Sequence, residues 1–176
     1  TLFNLQFEIN KSNIIKIIFI MNNKYINFYN NLVSLTRNKN LYEEFTSNDT
    51  FSQRLIILMF HLAFFLRKFK EPMNKKTLQE VYDYTFKQLE YSIREEGFGD
   101  VTINKKMKTY INTFHSILEK IENWDNFNPV EKKTIILSFL DLDNNIDSKI
   151  VDYFENYRNF LSKNSLNSLL KGVSKP

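Results

Sequence analysis

The order of apolar and polar positions predicts helices along most of the chain. Apolar residues recur at steps of three or four, the spacing that places them on one face of an α-helix. No segment shows the sustained alternation of a half-buried strand. The residues that form these apolar stripes are Tyr25, Phe28, Leu32 and Leu35; Leu78, Tyr82, Phe86, Leu89 and Ile93; Ile103, Met107, Tyr110, Phe114, Ile117 and Ile121; Ile146, Ile150, Phe154, Tyr157 and Leu161.

The segment from Leu55 to Leu66 is different because it is apolar on all sides, with His61 as its single polar residue. Its 12 residues are too few to cross a bilayer, which needs about 20. We therefore expect a buried central helix, in which His61 is a core histidine hydrogen-bonded to a neighbour. Thr50 and Gln53 form the pattern of a capping box at its start.

Other residues mark where helices begin or end. Asn128, Pro129 and Glu131 are typical of a helix N-terminus, and Gly97 is predicted to be a left-handed C-cap. Ser165 to Leu170 adds a short last helix that ends at Gly172. The expected fold is all-α: a single-domain helix bundle of about six or seven helices.

Composition agrees with this fold and excludes several classes of protein. The chain has 176 residues and no cysteine, so a disulfide scaffold, a zinc ribbon, an iron–sulfur protein and a cysteine nucleophile are excluded. It has only 3 glycines and 3 prolines, too few for strand-and-turn folds or glycine-rich nucleotide folds. The net charge of +4 is small for a dedicated nucleic-acid binder, and we expect no DNA partner.

We divide the chain into three parts. Residues 1–21 form an N-terminal extension that contains an apolar run with Lys16 inside it, and this run is too short to span a membrane. We expect Met21 to be the true start; the alternative is an interfacial anchor. Residues 22–172 form the helical domain, and residues 173–176 form a C-terminal tail.

Side chains suited to catalysis are sparse. His61 and His115 lie in different predicted helices and belong to no catalytic or metal-binding motif. Asp141 opens a segment like a calcium loop, but Ile146 takes the glycine position and Asp152 the glutamate position. We predict no catalytic residue, no metal site, no cofactor and no enzymatic activity. A haem, if bound, would have His61 or His115 as its ligand.

The most distinctive segment runs from Arg94 to Asp100, where two of the three glycines lie between two periodic helices. This predicts a backbone that bends tightly or is closely approached. Asp100 is expected to accept backbone hydrogen bonds from the first turn of the next helix. Lys105, Lys106 and Lys108 then place three positive charges in that helix's first two turns, against its dipole. They form either a partner-binding face or a solvated lysine face.

Three blocks of the chain, in the same order, resemble the ubiquinol–cytochrome c chaperone family, assembly factors of the respiratory ubiquinol–cytochrome c reductase. The resemblance covers about residues 24–172, and its second block is the most specific. His115 and Ser116 depart from the pattern, which has an aromatic residue and a glycine after Phe114. The residues that carry the three blocks are Asp49, Thr50, Arg54, His61 and Arg67; the segment Ser92 to Asp100 with Lys105, Lys106, Met107, Lys108 and Phe114; and Leu166, Leu169, Leu170 and Gly172.

The resemblance implies an all-helical, non-enzymatic chaperone that binds newly made cytochrome b. A small helical co-chaperone, the ribosome and peripheral membrane contact are further implied. We expect a location in the cytoplasm or at the inner membrane of a bacterium, rather than in a mitochondrion. The alternative function is a helical RNA- or ribosome-binding module that uses the face of Lys105, Lys106 and Lys108.

Two groups of candidate residues follow. The expected partner-binding residues are Arg94, Gly97, Phe98, Gly99, Asp100, Lys105, Lys106 and Lys108. The residues expected to have a structural or a partner-binding role are Arg54, His61, Arg67 and Phe114. For Arg54 the two alternatives are a salt bridge at the helix entry and a partner contact.

Overall fold

A computed structural model of the chain describes residues 24–38, 41, 50–141 and 149–172. All regular structure in these residues is helical, which confirms the all-α prediction. The α-helices are α1 (Ile26–Thr36), α2 (Phe51–Lys68), α3 (Lys75–Glu95), α4 (Asp100–Ile121), α5 (Pro129–Leu140), α6 (Lys149–Lys163) and α7 (Leu166–Leu170), and the 3₁₀ turns are Pro72–Asn74 and Trp124–Asn126. The predicted extension 1–21, the tail 173–176 and the calcium-like segment after Asp141 lie outside the described residues.

Helix α2 is the centre of the bundle. It packs against α1, α4, α5 and α6. Every residue from Met59 to Phe65 is buried, so the middle of α2 is covered on all sides. This explains why the sequence there is apolar all round rather than along one stripe, and it confirms the predicted central helix. None of the described helices has the length and apolar character needed to cross a membrane.

The predicted capping box at Thr50 and the predicted helix start at Asn128 have different outcomes. Asn128 accepts hydrogen bonds from the backbone of Val130 and Glu131, and the Glu131 carboxylate accepts one from the Asn128 N–H at 2.8 Å, so this box is complete. The Thr50 hydroxyl oxygen accepts from the Gln53 N–H at 3.2 Å. The second bond of a capping box would run from the Thr50 backbone N–H to the Gln53 side-chain oxygen. It is absent, since that oxygen is buried without a hydrogen-bond partner among the described residues. The box at Thr50 is therefore only half formed.

The C-terminal end of the described chain closes the bundle against α1. Helix α7 packs on α1, and Leu169 is buried between them. Gly172 has φ of +98°, and a Cβ at this position would lie 3.1 Å from the Cβ of Asn27. Both the left-handed backbone and the close approach to α1 therefore require glycine here.

Candidate partner-binding site

Helices α3 and α4 pack together as a hairpin, and the predicted partner-binding segment forms its tip. We call residues 94–101 the hairpin tip; all of them are exposed. Gly97 follows the end of α3 with φ of +85°, and its N–H donates to the Arg94 carbonyl at 3.0 Å. The left-handed cap predicted at Gly97 is therefore confirmed.

Asp100 does not have the capping role predicted for it. It is the first residue of α4, and Gly99 is the N-cap, without a side-chain capping bond. The Asp100 carboxylate instead accepts a hydrogen bond from Nη1 of Arg94, whose Nε and Nη2 donate to Glu90 at 3.0 and 2.7 Å. A charge-assisted bond to a guanidinium is stronger than a bond to a neutral N–H. Arg94 thus links the two helices at the tip through an exposed ion pair.

Gly99 has no internal reason to be glycine. Its backbone is ordinary extended chain, with φ of −73° and ψ of 157°. A Cβ added there would meet no atom of the described chain within 4 Å. The tight backbone predicted for the two glycines is therefore found at Gly97 alone, and the space beside Gly99 is open.

The hairpin tip carries exposed apolar side chains beside a cation. Phe98 is 39% exposed, and Nζ of Lys106 lies 4.6 Å from its ring centroid, in cation–π contact. Val101 is 86% exposed. Sequence reasoning missed Val101, although a signal was available: it lies two residues before Ile103, on the opposite side of α4 from the buried stripe.

The three lysines of α4 do not share one face. Each residue turns a helix by about 100°, so Lys106 and Lys108 point about 160° apart around the axis. Lys105 and Lys108 are exposed, whereas Lys106 is half-buried against Phe98. The three lysines therefore do not form the single continuous face expected for RNA or ribosome binding.

A groove runs along the outer surface of α3 and α4; we call it the hairpin groove. The part nearer the tip has a volume of about 700 Å³, an apolar floor and charged rims that include Lys108. The other part, of about 800 Å³, extends to the end of α2. Tyr82 lines both parts. The apolar residues of the floor are Leu78, Tyr82, Phe86, Met107, Ile111 and Leu118.

His115, one of the two departures from the family pattern, lies where the two parts of the hairpin groove meet. Its Nε2 is 3.3 Å from the Tyr82 hydroxyl oxygen, and the two rings are nearly parallel with centroids 6.1 Å apart. The preceding residue, Phe114, is fully buried against Tyr82 and Phe86, with ring centroids 5.7 and 5.3 Å away. Phe114 is thus a core residue under the groove.

His61 is a buried structural histidine. Its Nδ1–H donates to the Ile57 carbonyl at 2.7 Å, and its Nε2 accepts from the Tyr153 hydroxyl at 2.7 Å. Burial lowers its pKa to about 4. Both ring nitrogens have protein partners, so His61 has none left for a haem iron. No group of side chains in the described ranges could hold a metal ion.

The remaining candidates, Arg54 and Arg67, lie at opposite ends of α2. Arg54 is partly buried in the first turn and has an interaction partner. Arg67 is in the last turn, where its guanidinium donates to the Asp125 carboxylate at 2.6 Å and to the Glu122 carbonyl. The structure therefore brings the residues of the hairpin tip together and places Arg54, His61 and Arg67 elsewhere.

Comparisons with known proteins find one family that resembles part of this chain. Residues 43–125, which contain α2, α3 and α4, match the family model described as ubiquinol-cytochrome C chaperone. The crystal structure of the Cbp3 homolog from Brucella abortus is similar in fold, with a TM-score of 0.68, 24% sequence identity and coverage of 97% of this chain and 94% of that chain. No curated protein matches the chain.

The family description also bears on activity. It is that of a chaperone, which confirms the prediction that the chain is not an enzyme. The predicted resemblance is likewise confirmed. Over residues 43–125, this chain is therefore similar to the ubiquinol–cytochrome c chaperone family.

Proposed function

We propose that this protein is an assembly chaperone that binds newly made cytochrome b during the biogenesis of ubiquinol–cytochrome c reductase. The observation that carries the proposal is the family match over residues 43–125, which includes the whole α3–α4 hairpin. A holding chaperone needs an exposed binding surface rather than a catalytic centre, and the hairpin offers such a surface.

The hairpin tip is the proposed contact edge for the client. Exposed aromatic side chains are enriched in protein interfaces, and Phe98 is such a residue, with Lys106 on its ring and Val101 nearby. The open space beside Gly99 leaves room for a client backbone to approach closely. Arg94 and Asp100 hold this edge in shape.

The hairpin groove extends the proposed contact along α3 and α4. A subunit destined for a membrane exposes apolar helices before it is inserted, and the groove has an apolar floor that suits one of them. Its charged rims, Asp83, Lys87, Glu90 and Lys108, would face the polar ends of the bound segment. Tip and groove together form the proposed client surface.

We place this activity in the cytoplasm next to the inner membrane of a bacterium, because cytochrome b enters the membrane from the compartment where it is made. Peripheral contact with that membrane belongs to the proposal. A small helical co-chaperone or the ribosome is an additional proposed partner, since a chaperone of nascent chains acts close to their source.

Deletion of the gene tests the function. The amount of assembled reductase should fall and free cytochrome b should be degraded, and re-expression of the chain should restore both. Normal reductase assembly in the deletion strain would contradict the proposal.

Capture of tagged cytochrome b by single variants tests the surface. Phe98→Ser should weaken capture. The matched control is Tyr91→Ser, which removes another exposed aromatic side chain of the hairpin, outside the tip. Equal capture by Phe98→Ser and wild-type protein would exclude the tip as the contact edge.

A further inference from the structure

A small cationic cavity lies where the C-terminal end of α2 meets α6 and the turn at 124–126. Its volume is about 340 Å³. Four of its lining side chains are cationic, and the single acidic one is Asp125, which leaves a net charge of +3 (four positive charges less one negative). The cationic side chains are those of Arg67, Lys68, Lys70 and Arg158. This cationic cavity is separate from the hairpin tip.

The two arginines of the cationic cavity are held in place. Arg67 donates to the Glu122 carbonyl at 3.1 and 3.3 Å and to Asp125 at 2.6 Å. Arg158 donates to Glu155 at 2.7 Å and to the other carboxylate oxygen of Asp125. Their side chains are only 18% and 23% exposed. Because both guanidiniums are already ordered, binding of an anion costs little further side-chain entropy.

Asp125 shows that the two guanidiniums converge on one anionic group. Each of its carboxylate oxygens accepts from a different arginine. The hydrogen bond from Arg67, together with that from Arg158, outweighs burial and lowers the pKa of Asp125, so the bridge is anionic. The carboxylate is 59% exposed and can therefore turn into solvent when a stronger anion arrives.

Donors remain available in the cationic cavity. Lys68 forms no ion pair with any described residue, and Nη1 of Arg67 donates to none of them. The side chains of Asn159 and Ser162 also line the cavity and add neutral donors. Lys70 pairs with Glu122 and Arg158 pairs with Glu155, and both carboxylates lie outside the cavity wall. The local charge is still positive, at +1, when both are counted with Asp125.

We propose that the cationic cavity binds a phosphate group. Guanidinium forks match the tetrahedral oxygens of phosphate, and an ammonium group adds a point charge. The cations face one concave site rather than following a stripe along the surface, as they would for a nucleic-acid backbone. The phosphate is either free or carried on the headgroup of an anionic lipid.

Binding to the purified full chain tests this inference. Isothermal titration with inorganic phosphate forms one arm, and sedimentation with phosphatidylcholine vesicles, with or without phosphatidic acid, forms the other. Lys68→Gln breaks no ion pair of the described chain and should weaken binding by about fivefold. Its matched control is Lys120→Gln, an exposed lysine in the last turn of α4, which should bind as wild type does.

A second variant tests whether Asp125 and its two arginines form a phosphate site or only stabilise the fold. Asp125→Asn removes the competing carboxylate charge and should strengthen phosphate binding by about fivefold. If Asp125 and its arginines only join helices, this change lowers stability and brings no gain in affinity.

The outcomes are distinct. Binding to inorganic phosphate supports a free phosphate, and binding only to vesicles with phosphatidic acid supports a lipid headgroup. No binding in either arm, equal weakening in Lys120→Gln, or no gain in Asp125→Asn would overturn the inference. So would binding of single-stranded RNA without binding of inorganic phosphate, with a salt dependence that indicates several phosphate contacts.

Discussion

The His61 imidazole accepts a 2.7 Å hydrogen bond from the Tyr153 hydroxyl, which joins the central helix α2 to α6. Its other nitrogen is bonded to the Ile57 carbonyl one turn earlier. The ring is fully buried among the aromatic rings of α6, with that of Tyr157 4.6 Å away. The interior of the bundle thus contains one neutral imidazole whose hydrogen bonds are all made within the protein.

This burial predicts a pH dependence of stability. The pKa of His61 is lowered from 6.5 to about 4 in the folded state, so the unfolded chain binds the proton more tightly. The free energy of unfolding should therefore fall as the pH decreases from 6.5 to about 4, by about 3 kcal/mol, and His61 should contribute no slope above that range. Urea denaturation at a series of pH values measures this change.

The control for this prediction is the second histidine. His115→Gln changes an exposed residue and should leave the slope intact, whereas His61→Gln should remove the histidine's part of it. A slope in His61→Gln as steep as in the wild type would mean that other groups cause the acid sensitivity.

Phe114→Ala should destabilise the fold strongly. The ring is fully buried and packs against Phe86 under the hairpin groove, so its removal leaves a cavity in the core. The expected loss in the free energy of unfolding is about 3–5 kcal/mol. Phe51→Ala, at a half-exposed position in the first turn of α2, should cost less than about 1 kcal/mol. Similar denaturation midpoints for the two variants would contradict this account of the core.

The two glycines of the hairpin tip should respond differently to substitution. Gly97→Val forces a branched side chain into φ of +85° and should cost about 1–2 kcal/mol, with the helical circular dichroism signal retained. In Gly99→Ser the added Cβ meets no described atom within 4 Å, and serine is a good capping residue at the N-cap, so stability should not fall. Both variants should lose capture of cytochrome b, because both alter the proposed contact edge.

Gly99→Ser is the sharper of the two tests, since it leaves the fold unstrained. If it captures cytochrome b as well as the wild type does, no partner backbone approaches Gly99. Unchanged capture by both variants would exclude the tip as the client contact.

The lysines of α4 should contribute unequally to client binding. Changing Lys105, Lys106 and Lys108 together to Glu should abolish capture of cytochrome b while helicity is retained. Lys106→Glu alone should produce most of this loss, because Lys106 is the one in contact with Phe98 at the tip. The double change of Lys105 and Lys108 is its matched comparison. A larger loss of cytochrome b capture in the double variant than in Lys106→Glu would indicate that the client contacts the hairpin groove rather than the tip.

Local sequence signals predicted the helices well for a physical reason. Burial on one side imposes a spacing of three or four residues, and burial on all sides gives the continuous apolar run that marks α2. The cap at Gly97 is equally predictable from the sequence, since a left-handed residue after a helix favours glycine. These features depend on residues only a few positions apart.

The errors at Asp100 and Gln53 differ in kind. The Gln53 side-chain oxygen is buried without a hydrogen-bond partner among the described residues, so no competing contact accounts for its missing bond. Asp100 is a suitable capping residue, but whether a side chain caps a helix depends on which competing partner it can reach. Asp100 reaches the guanidinium of Arg94 across the hairpin tip. The lysine face failed for a related reason, because Lys106 turns towards Phe98 while Lys108 turns towards the groove. The spacing of charges along the chain predicts neither the contact of Asp100 with Arg94 nor the orientations of the lysines.

Local spacing and short motifs are enough to predict the helical class, the central position of α2, the cap at Gly97 and the family resemblance. Which distant side chains meet depends instead on how the helices pack. His61 and Tyr153 are 92 positions apart, and Asp125 is 58 positions from Arg67 and 33 from Arg158. The partners in such contacts are selected by how helices pack, and packing depends on the shape of the whole core rather than on any one segment.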